Sequence, residues 1–358
     1  MERIPFDPKE LEVVGYWPGF HPMAPKIPIY NTPITPRENF WLLYKHEMPL
    51  WMPHSQDYML LMPDCVPDNW SRGMVTSDKP AGPATFGGPD MFGVEWEFVP
   101  SVGGAMVRPG KPMLEDVEHW EDYIKFPNMD EWDWEHSAEV AKPSLDGKRF
   151  VKVAIMTGIF ERLISFMEMT NALIALVDED QQVGVHRLFD KLSDLYEDYF
   201  AKLEYYFHPD GLWFHDDWGS QRAPFFSLAT VREMIAPYLK RICDSAHRHG
   251  MILDLHSCGC IESLVPAMIE CGVDSWNGQT MNDKLKVAQM YGDKIIVDAY
   301  PMDIRPDMDE AQAREVLTKY VNDFKGLSAF TTQVFDIPPC PHQYELQYEI
   351  SRKIYNPD

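Results

Sequence analysis

His256 and Cys258 stand two residues apart at the end of an apolar run, Met251-Ile252-Leu253. On an extended backbone, residues i and i+2 project to one face, so an imidazole and a thiol leave this segment together. These are the donors that a borderline-soft divalent cation such as zinc prefers. Gly259 then lets the chain turn sharply toward the next helical stretch. A catalytic zinc takes three protein ligands and keeps a fourth position open. Cys340, in Ile337-Pro338-Pro339-Cys340-Pro341, is the first choice for the third, with Asp336 and Cys260 as substitutes. Taken alone, a His-x-Cys pair is more often a packed histidine beside a buried thiol. The weight comes from what surrounds it.

Other polar residues gather at the ends of other apolar segments. His215-Asp216-Asp217-Trp218-Gly219-Ser220-Gln221 follows Gly211-Leu212-Trp213-Phe214, Asn277 follows Val273-Asp274-Ser275-Trp276, and Asp298 and Tyr300 close Ile295-Ile296-Val297. Asp216 and Asp217 point in different directions, so one can face a cavity while the other braces a helix beginning near Ser227. A cavity carboxylate there serves as general base or orients a substrate. The expected catalytic residues are Asp217 and His256. His54, Asp216, Trp218, Gln221, Asn277 and Tyr300 are expected to line the substrate site.

The elements that position these residues alternate. The pattern predicts strands over 150–155, 211–215, 251–256, 273–277, 295–299 and 329–334. Between them lie helical stretches, including 182–206 with Leu188, Leu192, Leu195, Tyr199 and Leu203 on one face, and 228–248 capped by Ser227. Thr35-Pro36-Arg37-Glu38 is a helix start with a capping box. With Leu50–His54 and the alternating segment Phe92–Phe98 added, about eight strands close into an α/β (β/α)8 barrel. Its working residues belong at the carboxyl ends of the strands. No glycine-rich phosphate fingerprint follows any strand, which disfavours an open nucleotide-binding sheet. Residues 1–34 read as an arm anchored by Trp17, Phe20 and Tyr30, laid on the domain or on a partner in a homodimer, with residues 35–358 forming the barrel domain. The Pro- and Gly-rich stretch 63–113 and the acidic stretch 115–135 read as insertions over one barrel mouth.

The 358 residues carry a formal net charge of −24, with 45% hydrophobic and 25% charged residues. That charge argues against nucleic acid or anionic membrane as a partner. No apolar run reaches the roughly 20 residues of a membrane span. Met1-Glu2-Arg3-Ile4-Pro5-Phe6 lacks the apolar core of a secretion signal, and six scattered cysteines form no disulfide framework. A cytoplasmic protein with reduced thiols is the expectation.

These segments resemble the uroporphyrinogen decarboxylase superfamily, in its cobalamin-dependent methyltransferase branch. The likeness runs from Thr35-Pro36-Arg37-Glu38-Asn39-Phe40 through Phe92-Gly93-Val94-Glu95-Trp96 and Asp216-Asp217-Trp218-Gly219-Ser220-Gln221-Arg222. It is most specific at His256-Ser257-Cys258-Gly259 and Ile269-Glu270-Cys271-Gly272-Val273-Asp274. The resemblance implies a (β/α)8 barrel and zinc held by His256, Cys258 and a later cysteine, Cys340. It also implies methyl exchange with a corrinoid (cobalamin) supplied by a partner protein. In that branch the late cysteine sits in a Cys-Gly pair, where this chain has Phe335-Asp336. The arginines that grip porphyrinogen carboxylates in the decarboxylases are missing from Trp51-Met52-Pro53-His54-Ser55-Gln56. The abundance of aromatic residues and methionine favours an aromatic methyl ether as donor, as in an O-demethylase. The alternatives are methylcobalamin:thiol methyl transfer and a decarboxylase that uses no metal.

Overall fold

A computed structural model describes residues 4–19, 26–68, 87–101, 104–332 and 340–357. Among the described residues, twelve strands fall into three sheets. β1 (Val13–Trp17) and β2 (Ile27–Tyr30) make an antiparallel pair, and β4 (Gly87–Pro89), β5 (Glu95–Val99) and β6 (Gly104–Val107) make a second antiparallel sheet. The remaining seven are β3 (Tyr58–Leu61), β7 (Phe150–Ile155), β8 (Gly211–His215), β9 (Ile252–Ser257), β10 (Ser275–Gly278), β11 (Ile296–Ala299) and β12 (Ala329–Thr331). They join in sequence order, β3-β7-β8-β9-β10-β11-β12, with parallel pairing. Helices alternate with them. α1 (Pro36–Tyr44) precedes β3, α2 (Trp134–Ala141) precedes β7, and α3 (Ile159–Ala175) and α4 (Glu179–Phe207) follow it. After β8, α5 (Leu228–Thr230) runs through a π-turn, Val231–Ile235, into α6 (Ala236–Arg248). The turn lies just ahead of Pro237, which has no N–H to give an α-helical ladder. α7 (Val265–Cys271), α8 (Lys284–Tyr291), α9 (Glu310–Asp323) and α10 (Gln343–Tyr355) complete the series. This is the α/β architecture of a TIM-type (β/α)8 barrel.

Most strand starts and ends fall within two residues of the sequence pattern, residues 333 and 334 of the last lying outside the described residues, and two assignments are corrected. The barrel strand expected at Leu50–His54 forms at Tyr58–Leu61 instead, with His54 making an isolated parallel bridge to Thr331. The Phe92 segment supplies β5, the middle strand of the small antiparallel sheet, and no barrel strand. Its alternation is the reason. Glu95 and Glu97 are exposed while Trp96 is buried, whereas a parallel barrel strand is covered on both faces, as in the wholly buried β7.

The chain divides into two compact units. One comprises Met1–Met59, Asp146–Val151 and Asp274–Asp358, and the other Leu60–Leu145 and Lys152–Val273. In the first, the amino-terminal arm is fastened to α10 by a buried ion pair. Arg352 Nε and Nη2 each donate to the Glu10 carboxylate at 2.7 Å, and the Tyr348 hydroxyl donates to it at 2.5 Å. Tyr30 stacks on Tyr344 and Tyr348, and Trp17 donates to Asp146. Phe20 lies outside the described residues. α1 begins as its sequence dictates. Thr35 Oγ1 accepts from Glu38 N at 3.2 Å, and the Glu38 carboxylate accepts from Thr35 N at 2.7 Å. In the second unit, Arg162 of α3 is buried between Asp68 at 2.5 Å and Asp90 at 2.8 Å. β7 and β9 are tied by Lys152 and Asp254, a buried pair at 2.6 Å.

His54, expected to touch substrate, is buried in the first unit. Its Nδ1 accepts from Gln56 N at 3.1 Å, capping the turn Ser55–Asp57, and its ring packs on Tyr344. Burial pushes its pKa down to about 3. A histidine neutral when folded takes up its proton only on unfolding, near pH 6.5. Its contribution is therefore intact above that pH and drains away as the pH falls toward 3, at up to about 1.4 kcal/mol per pH unit. Burial pushes neighbouring Asp57 up to about 6, which acts with opposite sign as the pH rises from about 4 to 6. His54→Asn keeps a capping acceptor and removes only the first effect. Urea unfolding from pH 4 to 7 should show a smaller acid loss for the variant than for the wild type. Parallel curves would refute this assignment.

Candidate metal centre

β8 and β9 run parallel with His215 opposite His256. Each histidine is followed two residues later by a second donor, Asp217 just past the end of β8 and Cys258 just past the end of β9. With a side-chain period of two, both pairs reach the same face at the carboxyl ends of neighbouring strands. The outcome is a square of four ligand types. Among the described residues, donor atoms of His215, Asp217, His256 and Cys258 all lie within 4.8 Å of one another, and all four are half-buried.

The distances suit a small cation. With metal–nitrogen bonds of about 2.0–2.1 Å and metal–sulfur bonds of about 2.3 Å, tetrahedral donors stand roughly 3.3–3.7 Å apart. Cys258 Sγ is 3.6 Å from His256 Nε2, and His215 Nε2 is 3.7 Å from Asp217 Oδ1. The two imidazoles stack, with centroids 4.6 Å apart and planes at 16°, and Trp213 packs against His256.

The supports come from the same unit. Glu161, in the first turn of α3, holds His215 Nδ1 at 2.7 Å, which leaves Nε2 directed to the cluster. A carboxylate behind a ligating histidine fixes its tautomer and raises its basicity. Asp217 Oδ1 accepts from the Cys258 backbone N–H at 2.6 Å, linking the two loops. Gly259 (φ +97°) lies against the Gly219 backbone so closely that a Cβ there would collide with it.

Burial shapes the charges. It pushes Glu161 up to about 7, against the pull of His215. Burial also opposes the His215 imidazolium, but Glu161 and Asp217 together outweigh it and raise His215 well above its ordinary value. Asp217 is lowered despite its burial, because His215, His256 and the Cys258 N–H favour the anion. Burial pushes the Cys258 thiol up to about 11, so the free thiol keeps its proton at neutral pH, a proton that a bound cation would displace.

The expected site residues divide. His256, Cys258 and Asp217 come together. Cys340 is not among the four grouped donors. It is buried in the first unit, with its thiol 3.6 Å from Pro341 O, and Asp336 lies outside the described residues. His215, which stood at a strand end with the same two-residue spacing to Asp217 as His256 has to Cys258, joins the group instead. Glu161 carried no signal beyond its place at the start of a helix. Asp216 is structural. Its buried carboxylate accepts from Glu161 N at 2.9 Å, Phe160 N at 3.3 Å and Trp218 Nε1 at 2.9 Å, so it braces α3 and not the helix near Ser227. Trp218 is wholly buried. Gln221 is exposed in the turn closed by the Gly219–Pro224 bridge. Asn277 donates to Asp298 at 3.1 Å, and Tyr300 lines a cavity in the first unit.

Fold and cluster together define a TIM-type α/β barrel protein with a candidate metal centre at strand ends. No family model matches the sequence, and no curated protein matches it. Among solved structures, a glycosylated glycoside hydrolase family 10 endo-β-1,4-xylanase from Gloeophyllum trabeum is similar at 10% identity. It covers 64% of this chain and 82% of its own, with a TM-score of 0.36. A structure described as native KDPGal is similar at 9% identity, covering 62% and 76%, with a TM-score of 0.26. The xylanase XynB from Paenibacillus barcinonensis, complexed with a conduramine derivative, is similar at 12% identity, covering 57% and 71%, with a TM-score of 0.29. Likenesses of this degree say nothing of this chain's chemistry.

Asp216→Ala leaves three donors without their acceptor, the buried Phe160 N and Trp218 Nε1 and the half-buried Glu161 N. At about 1 kcal/mol or more for each, urea unfolding should show a loss of roughly 3 kcal/mol. A loss below about 1 kcal/mol would count against the bracing role.

Proposed function

We propose that the protein is an enzyme, a zinc-dependent methyltransferase that exchanges a methyl group between a small substrate and a corrinoid carried by a partner protein. The observation that carries this reading is the four-donor group His215, Asp217, His256 and Cys258 at the ends of two strands paired in register. The resemblance of His256-Ser257-Cys258-Gly259 to the cobalamin-dependent methyltransferases selects the reaction from among those a zinc site can serve. A bound zinc would supply Lewis acidity, making an ether oxygen a better leaving group or a thiol a better nucleophile.

The chain's own side chains do the rest. His215, His256 and Cys258 are the ligands. Asp217, already committed through Oδ1 to the Cys258 N–H, is the donor that can yield its place to substrate. Glu161 holds the His215 ring and keeps its Nε2 toward the cluster. Asp216 fixes the start of α3, and so the position of Glu161. The methyl donor in this reading is an aromatic methyl ether. Transfer in the opposite sense, from methylcobalamin to a thiol, would use the same four side chains. A uroporphyrinogen decarboxylase-like reaction without metal would leave the cluster without a task.

Elemental analysis of the purified full-length protein should give one zinc per chain. His256→Ala or Cys258→Ala should lower that content at least tenfold, with the circular dichroism spectrum retained. Mixed with a reduced corrinoid protein and an aryl methyl ether, the zinc form should generate the methylcobalamin spectrum. A folded protein that takes up no zinc from zinc-containing buffer would overturn the proposal.

A further inference from the structure

α3 is broken at one residue. Glu168 stands inside it with φ +64° and ψ +161°, a part of backbone space that only glycine enters without strain. His208 and His342 also have positive φ, but at helix ends and in the left-handed helical region, where the penalty is smaller. A sharp kink ordinarily has a proline, a glycine or a group inserted into its hydrogen-bond ladder as its cause. The sequence across the break, Ser165-Phe166-Met167-Glu168-Met169-Thr170, holds neither proline nor glycine.

An inserted group is present. The segment Arg108–Leu114 follows β6, runs exposed over residues 108–112 and ends on the buried Leu114. Leu114 N donates to Phe166 O at 2.9 Å, a carbonyl that an unbroken helix offers to Thr170 N. Gly110 N donates to the Glu168 carboxylate at 2.6 Å. Pro109 and Pro112 have no N–H to give, so the strap has few other donors. It is thus pinned to α3 on either side of the strained peptide.

The first half of α3 is fixed without the strap. Asp216 accepts from Phe160 N and Glu161 N, and Arg162 is buried between Asp68 and Asp90. Phe92 packs edge-on against Phe166 with ring centroids 5.1 Å apart. Beyond the break, Met169 and Ile174 are exposed. Release of the strap would therefore move the second half of the helix and leave Glu161 in place.

We propose that the strap and the break form a two-position switch. Closed, Arg108–Leu114 lies on α3 and Glu168 keeps its glycine-like backbone. Open, Gly110 and Leu114 let go, Glu168 relaxes to helical angles, Thr170 N takes Phe166 O and α3 runs straight through. Strain in the closed form and lost contacts in the open form oppose each other, which lets a segment open locally while the rest stays folded. All these residues belong to the second unit, and none is among the four grouped donors.

Hydrogen exchange of the full chain, read at the amides of Gly110 and Leu114, tests the switch. Both should be protected in the wild type. Glu168→Ala removes the acceptor of Gly110 N and keeps the strain. Exchange at Leu114 should then rise about tenfold or more, with α4 and the circular dichroism spectrum unchanged. Glu168→Gly removes the same acceptor but makes the backbone angles easy, so Leu114 should exchange within about threefold of the wild type. An ordinary helix gives the reverse order, because glycine destabilises it relative to alanine. Glu168→Gln keeps an acceptor and should match the wild type. The proposal is overturned by an unprotected Leu114 amide in the wild type, by alanine and glycine variants that exchange alike, or by exchange that rises evenly through the second unit. The readout is exchange alone, so the presence or absence of zinc at His256 and Cys258 does not enter it.

Discussion

The register of β8 against β9 is the constraint on which the candidate centre depends. Parallel pairing sets His215 beside His256, and the period of two then carries Asp217 and Cys258 to the same face. A slip of one residue would turn one pair of donors to the opposite side of the sheet. Nothing in the individual side chains supplies this arrangement. It comes from backbone hydrogen bonds and from the apolar residues of Leu212-Trp213-Phe214 and Leu253, which bury both strands.

Around that ladder, three carboxylates have separate tasks because their surroundings differ. Asp216 is consumed by backbone N–H groups and an indole, and holds a helix in place. Asp217 faces two imidazoles and stays anionic. Glu161 is set behind His215 by the very helix that Asp216 braces. Adjacent residues in sequence thus reach opposite ends of one chain of contacts, which runs from the start of α3 to the tip of β8.

Much of the barrel was legible because buried parallel strands announce themselves as unbroken apolar runs. Phe150–Ile155 and Gly211–His215 fall where the sequence puts them, and the caps at Thr35 and Ser227 mark their helices. The Phe92 segment misled because alternation says only that one face is wet, not which sheet a strand joins. The Leu50–His54 segment misled because its apolar residues pack without forming a ladder, and the strand begins after the capped turn at Ser55. At the site, His256 and Cys258 were readable from spacing within one strand. His215 needed the pairing of two strands separated by a long helix, which no local spacing encodes. Asp216 and Trp218 lay beside the working residues in sequence but point into the packed interior, a choice that strand twist and helix position make.

Positions 217 and 258 each lie two residues past a paired histidine, yet one offers a hard oxygen and the other a soft sulfur. The frame that presents them, two backbones touching at Gly219 and Gly259, is not independent of the donors, because the Asp217 carboxylate accepts from the Cys258 N–H. Exchanging oxygen for sulfur at position 217 would therefore alter the join between the two loops together with the hardness of the donor set.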